Sequence, residues 1–147
     1  MENITLALME LIGNALPELS YIDEDYGQLE EYAEESNPVT FPCVLIDTPD
    51  VDWSDLAPGI QNGSVVISFK LIIDCYDDTH YGSGTEDKIK ERAEMNQRLY
   101  KALQGLSIDA DMDSMERIKS KSYTIGGGLK IYETNYRFDY HDGSAQY

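Results

Sequence analysis

The sequence is poor in histidine and cysteine, two residue types that are common in catalytic and metal sites. Its 147 residues include two histidines and two cysteines, and neither His80 nor His141 has a Cys or His partner at metal-ligand spacing. Cys43 and Cys75 each lie in an apolar stretch, which favours two buried, reduced thiols over a disulfide between neighbouring strands. No arrangement pairs a nucleophile with a base. We therefore predict a protein that is not an enzyme and has no metal or other cofactor.

Long hydrophobic runs are absent as well. No stretch reaches the eighteen or so apolar residues typical of a membrane span, and the N-terminus lacks the basic start of a secretory signal. With 147 residues, 41% of them hydrophobic, the chain is long enough to bury a core. These features predict a soluble single domain, residues 1–147, that is kept in a cytoplasm and does not contact membranes.

Cations are scarce in the first half of the chain. Residues 1–79 hold seventeen acidic residues and a single cation, Lys70, whereas residues 80–147 hold eleven acidic and ten basic residues, for a net charge of −17. A protein that grips nucleic acid needs clustered Lys and Arg, so tight nucleic-acid binding is not expected. Most of these carboxylates are expected to form a solvated surface; the alternatives are a basic partner, or a passage through which nucleic acid slides without binding.

Two motifs with possible chemistry depart from their templates. Residues 109–113 resemble the start of a calcium loop, but Ser114 and Ser120 stand where that loop needs Gly and Glu, so we predict an acidic turn. The glycines at 126–128 precede a strand rather than a helix, which indicates a hairpin turn and not a phosphate-binding loop.

The clearest pattern in the chain is a strand from Ser64 to Tyr76. Because side chains alternate between the faces of a strand, one face is apolar and packs on the core, and the other, with Lys70, Asp74 and Tyr76, is free for function. The Asn62-Gly63 pair before it predicts a tight turn. The apolar face consists of Val65, Ile67, Phe69, Leu71, Ile73 and Cys75.

The remaining segments complete an α+β fold. We predict a single mostly antiparallel sheet of about four strands with two helices packed on one face, in the order α-β-β-α-β-β. Residues 21–37 are predicted to be an acidic surface segment, either a short helix or a loop, and residues 141–147 a frayed tail. The other predicted elements are a helix at 3–15 closed by Pro17, a strand at 41–47, a helix from the capping-box pattern at 83–86 to Gly105, and a hairpin of residues 118–125 and 129–140.

Aromatic residues supply the candidates for protein contacts. Trp53, the only tryptophan, lies among Asp50, Asp52 and Asp55, where it is either a plug over the core or an interface anchor. The last strand carries a row of tyrosines on one face. The full set of candidate interface residues is Trp53, Leu56, Lys70, Asp74, Tyr76, Tyr132, Tyr136 and Tyr140.

The order of segments over residues 3–140 resembles the tail terminator, or tail completion, proteins of long-tailed bacteriophages. The resemblance rests on an N-terminal helix, a strand like Phe41-Pro-Cys-Val-Leu-Ile-Asp47, a long strand ending like Leu71-Ile-Ile-Asp-Cys-Tyr-Asp77, and a helix ending like Leu99-Tyr-Lys-Ala-Leu-Gln-Gly-Leu106. A last aromatic strand like Tyr132 to Tyr140 completes it. It is a pattern of elements rather than a signature motif.

The resemblance implies a structural function in a virion. Such proteins form rings, commonly hexameric, that cap the tail tube and join it to the head connector. The implied partners are further copies of this chain, the tail tube protein and connector proteins, at the neck of a virion assembled in a bacterial cytoplasm. Two alternatives stay open: another neck or head–tail joining component, and an acidic bacterial adaptor or DNA mimic that binds a basic protein.

Overall fold

The alternating segment predicted as the central strand coincides with the longest of the described strands over residues 64–74. The computed structural model describes residues 2–29, 39–75, 82–126 and 128–145. Its elements, in chain order, are α1 (Glu2–Ala15), β1 (Tyr21–Glu24), β2 (Cys43–Ile46), β3 (Asp50–Ala57), β4 (Ile60–Asp74), α2 (Asp87–Leu103), β5 (Glu116–Ile125) and β6 (Leu129–Asp142).

All six strands belong to one sheet, with β4 at its centre. On one side β4 pairs with β6 over almost its whole length, and β5 lies beyond β6. On its other side β2 pairs with residues 69–72 and β3 with residues 60–66, while β1 lies beyond β2. Of the described pairings, β1 with β2 is parallel and the others are antiparallel. The predicted α+β class with a mostly antiparallel sheet is therefore confirmed.

Both helices pack against the same face of the sheet, as predicted. The apolar stripe of α1 (Ile4, Leu8 and Ile12) is buried, and in the C-terminal half of α2 Leu99 and Leu103 are buried. A bidentate ion pair between Arg98 and Glu18 ties α2 to the segment after α1, with an Nη2–Oε2 distance of 2.6 Å. The buried residues of the helix-covered core are Ile4, Leu8, Ile12, Leu16, Val44, Ile46, Val65, Ile67, Phe69, Leu71, Ile73, Leu99, Leu103, Met112, Met115, Tyr136 and Phe138.

Two strands were missed by the prediction, which is why the strand count of about four was too low. The first four residues of the acidic segment, predicted to be a helix or a loop, form β1, in which Ile22 packs toward α1. The rest of that prediction falls largely on residues 30–38, outside the described residues. The segment predicted as a connection contains β3, because hairpin pairing with β4 outweighs the low strand preference of its aspartates.

The turn before the central strand was misplaced. Asn62 and Gly63 are paired with Ser54 and Trp53 inside the hairpin, and the chain reverses instead at Pro58 and Gly59. Gly59 adopts a φ of 76°, a left-handed conformation that glycine takes without a steric penalty. The central strand therefore begins at Ile60, earlier than the predicted start at Ser64.

A helix and a strand differ from the prediction at their ends. The second helix runs from Asp87 to Leu103, and its first half is exposed, with Ile89 44% exposed. The last strand runs to Asp142, so His141 and Asp142 pair with Asn62 and Gln61 of β4 and are not part of a frayed tail.

Candidate interaction surfaces

The hairpin of β3 and β4 presents two large apolar side chains to solvent. Trp53 is 43% exposed and Leu56 58% exposed. The Trp53 ring lies over Gly63, where an added Cβ would come within 2.9 Å of ring atom Cζ3. A cross-strand aromatic over a glycine covers backbone that the glycine leaves bare. Trp53 thus has one ring face on the hairpin and the rest in solvent, which leaves it available as an interface anchor.

A row of charges crosses the face of the sheet opposite the helices. Lys70 on β4 donates to the Asp25 carboxylate at 2.9 Å and lies 3.9 Å from Glu133 on β6, which in turn lies 3.0 Å from Lys121 on β5. Partial burial alone would lower the pKa of Lys70, but the hydrogen bond and charge of Asp25, with Glu133, raise it above its usual value. Lys70, predicted to be a contact residue, is thus held within this row.

The outer strand β5 is basic and exposed. Lys119 and Lys121 project to the face opposite the helices, across from Asn135 and Glu133 of β6, while Arg117 lies on the helix side with its guanidinium 3.7 Å from the Tyr100 ring centre. Ile118, at an irregularity in the pairing with β6, is 52% exposed. The alternating lysines are visible in the sequence, but their place at an edge of the sheet is not, because it depends on the strand order.

The outer strand β3, on the other side of the sheet, is acidic. Asp50 and Asp52 lie across from Val66 and Ser64, on the same face as the β5 lysines, and both are exposed. Neither they nor Lys119 forms an ion pair with another described residue. The sheet therefore has a negative edge and a positive edge.

The three tyrosines of β6 that were predicted to be contact residues lie on the helix side of the sheet. Tyr132, Tyr136 and Tyr140 face the helices, where Tyr136 is 1% exposed and meets the Phe69 ring edge-to-face at 5.5 Å between centres. Burial raises the pKa of Tyr136 to about 12. Tyr132 and Tyr140 are partly buried against the same core. The aromatic row is thus mainly core packing, because the sheet turns that face toward the helices.

The two other predicted contact residues lie near the end of β4. Asp74 is exposed at the last position of the strand, and Tyr76 falls outside the described residues. Asp74 lies at the opposite end of β4 from the hairpin, in which β3 carries Trp53. The described members of the predicted set are therefore scattered over the hairpin, the charged row, the core and the far end of β4, and do not form one site.

The two cysteines lie on opposite faces of the sheet and are unpaired, as predicted. Cys43 is buried beneath Val39 and Ile131, and this burial, followed by the charge of Asp25, raises the pKa of its thiol to about 12. Cys75 packs toward the helix-covered core and accepts a hydrogen bond from Arg92. A disulfide between them would have to cross the sheet.

The acidic segment after α2 forms a turn, as predicted. The Asp109 carboxylate accepts hydrogen bonds from the backbone amides of Asp111 and Met112, at 2.8 and 3.1 Å. Among the described residues, no group of three His, Cys, Asp or Glu side chains converges as metal ligands would. None of the helices in the described ranges is long and apolar enough to cross a membrane.

The comparisons with known proteins find a structural likeness. No family model matches the sequence, and no curated protein matches it. A chain from the structure of the virion of a native gene transfer agent particle superimposes with a TM-score of 0.54, covering 91% of this chain and 84% of its own length at 13% identity. At that identity, the likeness establishes a shared fold.

Proposed function

We propose that this chain is a non-enzymatic structural protein of a phage-like virion. In this proposal it forms a homo-oligomeric ring at the neck, where it terminates the tail tube and joins it to the head connector. The supporting observation is the fold, which 91% of the chain shares with a chain of a gene transfer agent virion. Assembly would take place in the host cytoplasm before the ring joins the particle.

The two edges of the sheet support a ring. A ring needs two different surfaces on each subunit, so that one copy binds the next head to tail until the circle closes. The acidic edge at β3 and the basic edge at β5 are two such surfaces on opposite sides of the sheet. Six copies, the number common in tail terminator rings, is the proposed stoichiometry.

The charge of the chain fits a position on the path of DNA. With a net charge of −17, the ring as a whole repels a polyanion. Several of the few cations are already engaged by carboxylates, such as Lys70 by Asp25 and Arg98 by Glu18. An electronegative passage would let DNA move through without being held.

The test is the mass of the purified protein, measured by light scattering and native mass spectrometry. The protein is measured alone and after mixing with the tube protein encoded in the same genome, and negative-stain images are taken of any large species. We expect ring-sized particles, and the mass gives the number of copies. A strict monomer under both conditions would contradict the proposal.

The same samples separate the alternatives. A ring that binds connector proteins but leaves tube ends free would favour another neck component. A monomer that blocks a DNA-binding protein, with inhibition that disappears as salt is added, would favour an acidic adaptor or DNA mimic.

A further inference from the structure

The two oppositely charged edges also have unpaired backbone. Within the described ranges, β3 pairs with β4 alone and β5 with β6 alone, so both strands have unpaired outer backbone groups. The Arg117 amide of β5 is an exception, because it donates to the Gln104 side chain at 2.9 Å. Such an edge is a template for another strand unless it is blocked. β3 is eight and β5 ten residues long, so the two edges are similar in length.

The strand directions suit pairing between copies. β5 runs in the same direction as β4, because each is antiparallel to β6, whereas β3 runs opposite to β4. If a second copy is placed beside the first in the same orientation, β5 of one and β3 of the other meet as antiparallel neighbours. The sheet would then continue from copy to copy with the helices on one side throughout.

The side chains on the two edges are complementary. Asp50 and Asp52 project to the face opposite the helices, and so do Lys119 and Lys121, with the same spacing of two residues. Opposite charges on neighbouring strands stabilise pairing, whereas β3 against β3 or β5 against β5 would bring like charges together. Each edge also has exposed apolar side chains, Leu56 with Trp53 on β3 and Ile118 on β5.

We propose that β5 of one copy binds β3 of the next and extends the sheet from subunit to subunit. The inference rests on the proposed ring and names the surface that closes it; the occupant of each edge is a second copy of this chain. β1 is the less suitable acceptor because it has four residues, and its Asp23 carboxylate already accepts hydrogen bonds from the Tyr21 hydroxyl and the Glu24 amide.

Charge reversal tests this contact. One variant carries Lys119→Glu with Lys121→Glu, and a second carries Asp50→Lys with Asp52→Lys. A control matched to the first variant, Lys90→Glu with Lys101→Glu, makes the same charge change on exposed positions of α2. At a concentration and low salt where the wild type is assembled, each edge variant should lose the ring-sized species, and the control should keep it.

Mixing the two edge variants gives the decisive result. The reversed β5 of the first is complementary to the reversed β3 of the second, and the unchanged edges are complementary too. An equimolar mixture should therefore recover rings of wild-type mass in which the variants alternate, which an even-numbered ring such as a hexamer allows. Rings of either folded variant alone, or a mixture that stays dissociated, would overturn the assignment of these edges.

Hydrogen exchange on the wild type covers the case in which a variant does not fold. Assembly should slow exchange of the outward amides of β3 and β5, and dissociation by salt should restore it. Unchanged exchange on both strands in an assembled ring would refute the edge contact and leave the proposed ring standing. A wild type that stays monomeric alone and with the tube protein would instead refute the ring itself.

Discussion

A methyl group at position 63 would test the packing of the hairpin directly. In Gly63→Ala, the added Cβ would lie 2.9 Å from both Trp53 Cζ3 and Val51 Cγ1, whereas ordinary contacts are 3.4–4 Å. Val51 is β-branched, with a restricted side chain, and it is partly buried against the core. The Trp53 ring, rather than Val51, must therefore move away to make room for the added methyl group.

The expected loss of stability is small but measurable. Overpacking costs about 1–3 kcal/mol, while replacing a strand glycine by alanine recovers roughly 0.5–1 kcal/mol of backbone entropy. Because Trp53 is 43% exposed and can move outward, the cost should fall in the lower part of that range. We expect a net loss of about 1 kcal/mol in the free energy of unfolding, or about 3 °C in Tm.

The assay uses the only tryptophan of the chain as its reporter. Its emission should shift to longer wavelength in Gly63→Ala, and a urea titration gives the free energy. In a Trp53→Ala background the same substitution should cost less, because one of the two clashing groups is gone. Gly126→Ala is the control, since its Cβ would meet nothing within 4 Å. An unchanged emission spectrum together with an equal cost in both backgrounds would refute the packing described here.

Two further predictions concern charge and the buried thiol. Lys70→Met should lower the free energy of unfolding by about 2 kcal/mol, less than for a fully buried pair, because the Asp25 carboxylate would lose its cation while Glu133 keeps Lys121. Urea titrations of the two proteins measure this deficit, and equal stabilities would contradict the role given to the pair. Because the pKa of Cys43 is raised from 9.0 to about 12 in the folded chain, the unfolded chain loses the thiol proton first. The free energy of unfolding should therefore fall as pH rises above about 9, by up to about 1.4 kcal/mol per pH unit from this thiol. Cys43→Ala should lack that part of the decline. Equal pH slopes for the two proteins would show that the thiol does not contribute.

The fold class was predictable because the strongest patterns are local. The alternation in β4 and the stripe on α1 each bury one face, and a short window of sequence contains the whole signal. The signals for the helix ends at Pro17 and Gly105 are equally local, since each follows from the backbone conformation that a single residue prefers. These segments were placed to within a few residues.

The elements that were missed depend on distant partners. β3 has three aspartates, which are depleted in strands, and it forms because β4 lies beside it. β1 is held by parallel pairing with β2, some twenty residues further along the chain. Such pairing leaves little trace in the segment itself.

The candidate surface was harder to predict than the fold. In β6 both faces contain apolar residues, with Ile131 on one and Tyr136 on the other, so the sequence alone did not decide which face meets the helices. The positions of Lys119 and Asp50 at opposite edges depend on the strand order, which brings β6 between β4 and β5. Charged residues in the sequence can be assigned to a surface of the protein only when the order of the strands is known.

The burial of side chains differs along the length of β4, and this difference has a consequence for local stability. Over residues 65–71, buried side chains on the core face alternate with partly buried ones on the other face. Residues 60–62 and the whole of β3, by contrast, are partly or fully exposed. The hairpin end should therefore open in excursions that cost far less than global unfolding. Such a segment can change its angle to the body of the protein at a small cost in free energy. A subunit with a rigid core and a hairpin that can change its angle can fit assemblies of slightly different curvature as the assembly closes.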